Sequence, residues 1–250
     1  MSDPAYGFDT LQIHAGARPD PATGARQTPI YQTTAYVFRD ADHAAALFNL
    51  QEVGYIYSRL TNPTVAVLQE RIATLEGGVG AVCCSSGHAA QIMALFPLMG
   101  PGKNIIASTR LYGGTVTQFS HTIKRFGWEC KFVDFDDLDA VKAAVDDNTR
   151  AIFGEAIANP GGYIMDVRAI ADIADAAEIP LIIDNTTATP YLCRPIELGA
   201  TLVVHSTTKY LTGNGTVTGG CVVDSGNFDW SVNDKFPSLS APEPAYHGLK

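Results

Sequence analysis

Short apolar runs alternate along the chain with stretches whose apolar residues recur every three or four positions, the pattern of an α/β domain. The runs GAVCCS (80–85), NIIAS (104–108), CKFVDF (130–135), RAIFGE (150–155), PLIID (180–184), TLVVH (201–205) and GCVVD (220–224) are predicted as strands. Several are almost wholly apolar, as expected of strands covered on both faces of a parallel sheet. Residues 114–126, 137–145 and 167–178 are predicted as helices, the last with Val167, Ile170, Ile173, Ala174 and Ala177 on one face. The clearest helix lies earlier. Asn62 caps it, Pro63 fits its first turn, Val65, Leu68, Ile72 and Leu75 form a stripe, and Gly77 and Gly78 stop it. Pro97 is expected to end or kink the helix in QIMALFPLMG. Residues 1–60, rich in Pro, Gly and Thr, read as an extended arm that packs on something other than its own sheet, and residues 61–250 as one large domain.

Composition narrows the function. The chain has 250 residues, 46% hydrophobic and 17% charged, enough to bury a substantial core. A formal net charge of −9, with 17 Lys and Arg scattered rather than striped, argues against nucleic acid and anionic membranes as partners. The start, MSDPAYGFDTLQIHAG, carries acids where a signal peptide is basic, and no stretch reaches membrane-spanning length, so a cytoplasmic location is expected. Five cysteines without a C-x-x-C pair suit buried thiols in a reducing compartment. The six histidines show no metal-binding spacing, so no metal is expected.

Ligands in open α/β sheets collect at the carboxyl edge, and the suggestive residues lie just past strand ends. Ser85, Ser86 and Gly87 follow a strand and precede a helix, where free N–H groups and the helix dipole make a phosphate seat, although Ser-Gly there is also an ordinary cap. Asp184 ends PLIID, either as a buried carboxylate in need of a partner or as a solvated cap. TLVVH runs into Ser206, Thr207, Thr208 and Lys209, with Gly213, Gly215, Gly219 and Gly220 behind. A surface lysine in a turn is the commoner outcome. A lysine in a dry pocket, however, is a nucleophile toward aldehydes, and glycines let another molecule approach. Pyridoxal phosphate needs such a lysine, an acid for its ring nitrogen, a phosphate seat and an aromatic over its ring. Lys209, Asp184, Ser86 to His88 with Ser206 and Thr208, and Tyr112 supply one of each.

At these residues the chain resembles the Cys/Met-metabolism group of fold-type I pyridoxal-phosphate enzymes, and within it the O-acetylhomoserine sulfhydrylases. The matching segments are LQEVGYIYSRLTNPT, LEGGVGAVCCSSGHAAQ, STRLYGGT, EAIANPGG, LIIDNTTATP and VVHSTTKYLTGNG, which span nearly the whole chain in order. The resemblance implies a mostly parallel sheet flanked by helices with an extended N-terminal arm. It also implies a smaller C-terminal domain, expected to be missing from a chain that stops at Lys250. Lys209 would carry the cofactor as a Schiff base, Asp184 pair with its ring nitrogen, and Tyr112 stack on it and move protons. Asn159 would hydrogen-bond the side of the ring hydroxyl. Gly87 and His88 would give N–H groups to the phosphate, with Ser86, Thr186, Ser206 and Thr208 completing the cofactor site. Tyr57 and Arg59 would reach into the phosphate site of a neighbouring subunit, within a homotetramer built from dimers.

The implied reaction is γ-replacement on O-acetylhomoserine with sulfide or methanethiol, giving homocysteine or methionine plus acetate. Cystathionine γ-synthase, O-succinylhomoserine sulfhydrylase and methionine γ-lyase are the neighbouring activities, and Gly114 stands where methionine γ-lyases carry a cysteine. A cofactor-binding assembly domain without turnover is the reading of a different class, because no arginine here matches the family's substrate-carboxylate motif. His88 is expected to offer only its backbone, His205 to be a packed and hydrogen-bonded core residue rather than a gate to the cofactor, and Phe126, Trp128 and Phe132 to be core.

Overall fold

The seven apolar runs pair into one seven-stranded sheet in a computed structural model that describes residues 6–248. The strands are β1 (Gly80–Cys84), β2 (Asn104–Ser108), β3 (Glu129–Val133), β4 (Thr149–Glu155), β5 (Leu181–Asp184), β6 (Leu202–His205) and β7 (Gly220–Asp224), each within two residues of its expected bounds. Their order is β1-β7-β6-β5-β4-β2-β3. Every neighbouring pair is parallel except those of β7, which runs antiparallel to both β1 and β6. The carboxyl ends of the other six strands and the amino end of β7 therefore share one edge of the sheet.

Burial follows position in the sheet. β2 and β4 are buried at every residue, whereas β1 and β3 stand at the edges and are only partly covered, with Val82 half exposed. Coverage on both faces thus holds for the central strands and fails at the edges, where one flank has no neighbour. Phe119 and Phe153 meet edge-to-face at 4.9 Å in the core, an arrangement that adds about 1 kcal/mol beyond area burial.

The arm is less extended than its composition suggests. It contains α1 (Phe8–His14) and α2 (Ala41–Phe48). α1 folds back onto α3 (Pro63–Glu76), where Arg71 Nε donates to the carbonyl of Ala15 at 2.9 Å. The segments between remain open, with Ile30, Val37 and Val53 almost fully exposed. Asn62 caps α3 by accepting from the amides of Thr64 and Val65, and Gly77 ends it at φ 78°. Ile72 and Leu75 are buried, but Val65 and Leu68, nearer the arm, are not.

α4 (Gly87–Leu95) stops ahead of Pro97 as expected. The stretch expected as one helix over 114–126 changes pitch instead: α5 (Gly113–Thr117) passes into a π turn at Gln118–Thr122 and a 3-10 turn at Ile123–Phe126. α6 (Leu138–Ala144) and α7 (Val167–Ala176) complete the cover, the latter capped by Asp166 and burying Val167, Ile170, Ile173 and Ala174. Trp128 is buried and Phe132 packs on the core, but Phe126 is half exposed beside Trp128.

Candidate active site

The common strand edge opens into a cleft of about 730 Å³, within the size range of small-molecule and cofactor sites. At its floor β1 passes into α4 through Ser86, whose Oγ accepts from the amide of Ala89 at 3.1 Å. The hydroxyl is thus the helix cap, and the next amides, at Gly87 and His88, have no carbonyl one turn earlier to bond. Both residues line the cleft, so the amino terminus of α4 can receive an anion there.

Asp184 closes β5 and is held at both oxygens. Its Oδ1 accepts from the amide of Thr186 at 3.0 Å and from Thr186 Oγ1 at 2.5 Å, and its Oδ2 accepts from Gln91 Nε2 at 3.2 Å. Gln91 Nε2 also donates to Thr115 Oγ1, and Gln91 Oε1 accepts from Gln118 Nε2, which the π turn directs inward. Thr186 Oγ1 in turn accepts from the amide of Ser206 at 2.7 Å, so one hydroxyl couples the carboxylate to the segment leading to Lys209. Behind them, fully buried His205 meets Glu76 through Nε2 at 2.6 Å, and Asn185 Nδ2 donates to the same glutamate oxygen at 2.8 Å. This triad ties the ends of β5 and β6 to the end of α3, and makes His205 the packed, hydrogen-bonded residue expected.

Lys209 sits in a turn, with its amide donating to the carbonyl of Ser206 and its carbonyl accepting from Gly213. Its side chain lines the cleft and is exposed in this chain, where the sequence suggested a dry pocket. Thr208 also lines the cleft, but its hydroxyl is bonded to the backbone of Gly219, accepting at 3.0 Å and donating at 3.2 Å.

The opposite wall carries Tyr112 and Asn159. The Tyr112 ring is half exposed and its centroid lies 6.0 Å from that of the His88 ring. Glu155, the last residue of β4, is buried, and burial pushes its carboxyl up to about 7. Of the residues proposed for the site from sequence, Ser86, Gly87, His88, Tyr112, Asn159, Asp184, Thr186, Ser206, Thr208 and Lys209 line this one cleft. Tyr57 and Arg59 do not line it; they stand by each other in the arm, the guanidinium 5.6 Å from the ring centroid. Gln91, Thr115 and Glu155 line the cleft and were not singled out from sequence. Their signal was weak: a polar side chain inside, or ending, an otherwise apolar run.

The donor set suits a phosphorylated aldehyde with a basic ring nitrogen: an amine, a fixed carboxylate, a helix amino terminus and an aromatic ring surround one space. Residues 9–241 match the family described as Cys/Met metabolism PLP-dependent enzyme. The chain belongs to that family. It is 52% identical over 250 residues to the O-acetyl-L-homoserine sulfhydrylase of Corynebacterium glutamicum, covering 98% of this chain and 57% of the relative. It is 51% identical over 244 residues to the homocysteine synthase of Schizosaccharomyces pombe, covering 97% of this chain and again 57% of the relative. A solved structure of a candidate O-acetylhomoserine (thiol)-lyase from Campylobacter jejuni, which carries N'-pyridoxyl-lysine-5'-monophosphate, matches with a TM-score of 0.93. It is 43% identical, and the match covers 98% of this chain and 60% of that one. The chain thus spans somewhat more than half the length of these relatives. The family's cofactor is pyridoxal phosphate, in agreement with the groups gathered in the cleft. Among the described residues no helix is long and apolar enough to cross a membrane.

Proposed function

We propose that this chain forms the cofactor-binding part of an enzyme that replaces the acetoxy group on Cγ of O-acetyl-L-homoserine by sulfide or methanethiol, giving homocysteine or methionine and acetate. The observation that carries this reading is the meeting of Lys209, Asp184, Tyr112 and the start of α4 around a single cleft. Bound there, pyridoxal phosphate supplies an electron-withdrawing ring able to accept the negative charge that develops at the substrate's Cα.

The chain's own groups hold and direct that chemistry. Lys209 Nζ is the amine that would hold the cofactor at its aldehyde carbon and, when free of it, would take the substrate's Cα proton. Asp184, fixed at both oxygens, keeps a proton on the ring nitrogen by its charge. The amides of Gly87 and His88 hold the phosphate, with Ser206 beside them. Tyr112 covers the ring and relays protons, and Asn159 hydrogen-bonds its hydroxyl side. Tyr57 and Arg59, remote from the cleft of their own chain, serve the phosphate site of a second copy, in a cytoplasmic homotetramer built from dimers that share their sites.

Acetate release tests the reading. The chain loaded with pyridoxal phosphate should release acetate from O-acetylhomoserine when sulfide is added, and Lys209→Ala should abolish it. Bound cofactor without acetate release would favour a binding domain without turnover. Faster turnover of succinyl or phosphoryl homoserine would reassign the substrate.

A further inference from the structure

We propose that Glu155 is a positioning residue, a single buried carboxylate that clamps the loop bearing Tyr112 to the loop bearing Asn159 and so sets the wall of the cleft that both residues form. Its Oε1 accepts from the amide of Tyr112 at 2.6 Å and its Oε2 accepts from the amide of Asn159 at 3.0 Å. The two amides reach it from different directions. Tyr112 lies just past β2, on a neighbouring strand of the sheet, whereas Asn159 follows β4 itself. Glu155 is 6% exposed, so the carboxyl is largely withdrawn from water where it meets both donors.

The two-pronged acceptor is the carboxylate, the form Glu155 takes above about pH 7. Two N–H donors arriving together need two acceptor atoms on one fork, and hydrogen bonds to a charged acceptor are roughly twice as strong as neutral ones. A glutamine offers one acceptor and turns a second donor against an N–H. An aspartate is one methylene shorter. The charge is held at a cost, first because the carboxyl is buried and then because Asp184 occupies the register position beside Glu155 on β5. A residue needed only to fill space would not carry a second carboxyl next to the first.

The same two loops are also joined on their outer side. Arg110, two residues before Tyr112, pairs with Asp136 at 2.7 Å and lies 4.1 Å over the ring of Tyr163. The amide of Ala158 donates to the carbonyl of Tyr163 at 2.8 Å, which carries the tether to the Asn159 loop. That outer cluster is open to solvent and screened, so the buried clamp is the stronger of the two. The proposal concerns the wall of the proposed cofactor site and rests on that reading for its consequence, though not for the clamp itself.

Amide hydrogen exchange on the full chain, without cofactor and at a pH above the carboxyl's value of about 7, tests the clamp in Glu155→Gln. Exchange at Tyr112, at Asn159 or at both should accelerate by about 10-fold or more, the effect of losing a charge-assisted bond. The amides of Ile152 and Ile182 within the sheet should keep their rates, and pyridoxal phosphate should bind at least about 5-fold more weakly. Unchanged exchange at both loop amides would overturn the proposal, as would a uniform acceleration through β4 and β5, which marks a merely structural role. If the exchange result holds and neither protein binds pyridoxal phosphate, the clamp stands and the cofactor reading fails. Should Glu155→Gln not fold, the unaltered chain decides: Tyr112 and Asn159 should exchange at least about 10-fold more slowly than Gly113 and Gly161. Equal rates would refute the clamp.

Discussion

Replacing Gly87 by alanine probes the anion seat with a single methyl group. A Cβ built there would stand 2.7 Å from the Cβ of Ser206, 3.0 Å from its Cα and 3.2 Å from its Oγ. Carbon atoms in contact prefer roughly 3.5–4.0 Å, so the start of α4 and the segment after β6 must part by about 1 Å. Backbone stands on the Ser206 side, and that side is also fixed by the bond from its amide to Thr186 Oγ1. Overpacking of this kind costs about 1–3 kcal/mol. Converted at about 1.4 kcal/mol per factor of ten, this weakens pyridoxal phosphate binding by about 5- to 150-fold. Titration of the chain with the cofactor, followed by absorbance, reads the change. Gly80→Ala serves as the control, because a Cβ there meets nothing within 4 Å. Wild-type affinity in a folded Gly87→Ala chain would refute the placing of the phosphate between α4 and Ser206.

Three further outcomes follow from single groups. Asn62→Ala removes the cap of α3 and should lower stability by about 0.5–2 kcal/mol, read as a fall in the thermal midpoint; an unchanged midpoint would mean that the arm contacts of Asn62, to Tyr31 and Ser58, contribute nothing either. Glu155 binds its proton more tightly in the folded chain, up to about 7 against an ordinary 4.5. Stability should therefore decline as pH rises between those values, by at most about 3 kcal/mol, and Glu155→Gln should remove that slope in denaturant titrations at several pH values. Asp146 acts in the opposite sense. Hydrogen bonds from Lys131 first and Asn104 next hold its carboxyl well below the usual carboxylate range, so its contribution is present above pH 3.8 and is lost on acidification. Asp146→Asn should flatten the acid limb of the same curve; an unaltered limb would assign acid lability to other carboxylates.

The sheet was legible in the sequence because central strands such as NIIAS and TLVVH need apolar side chains on both faces, and that demand leaves continuous runs. Direction left no such trace. GCVVD reads like its parallel neighbours, yet β7 runs antiparallel, since burial fixes composition and not polarity of the chain. The cofactor residues were legible because Lys209, Asp184 and the Ser86–Gly87 turn each sit just past an apolar run, and six motifs in order supported them. Gln91 and Glu155 were not, because their meaning depends on partners far away in sequence: Asp184 for the one and Tyr112 for the other. The pitch change after Thr117 was likewise hidden. It brings Gln118 onto Gln91, a tertiary contact that local helical periodicity does not encode.

The central claim is that the amine of Lys209 binds the cofactor in the cleft where Asp184 stands. Borohydride reduction of the chain loaded with pyridoxal phosphate, followed by peptide mapping, tests it most directly. The account predicts one phosphopyridoxyl group, on Lys209, and its loss from that peptide in Lys209→Ala. Labelling of another lysine such as Lys103 or Lys131 in its place would contradict the account.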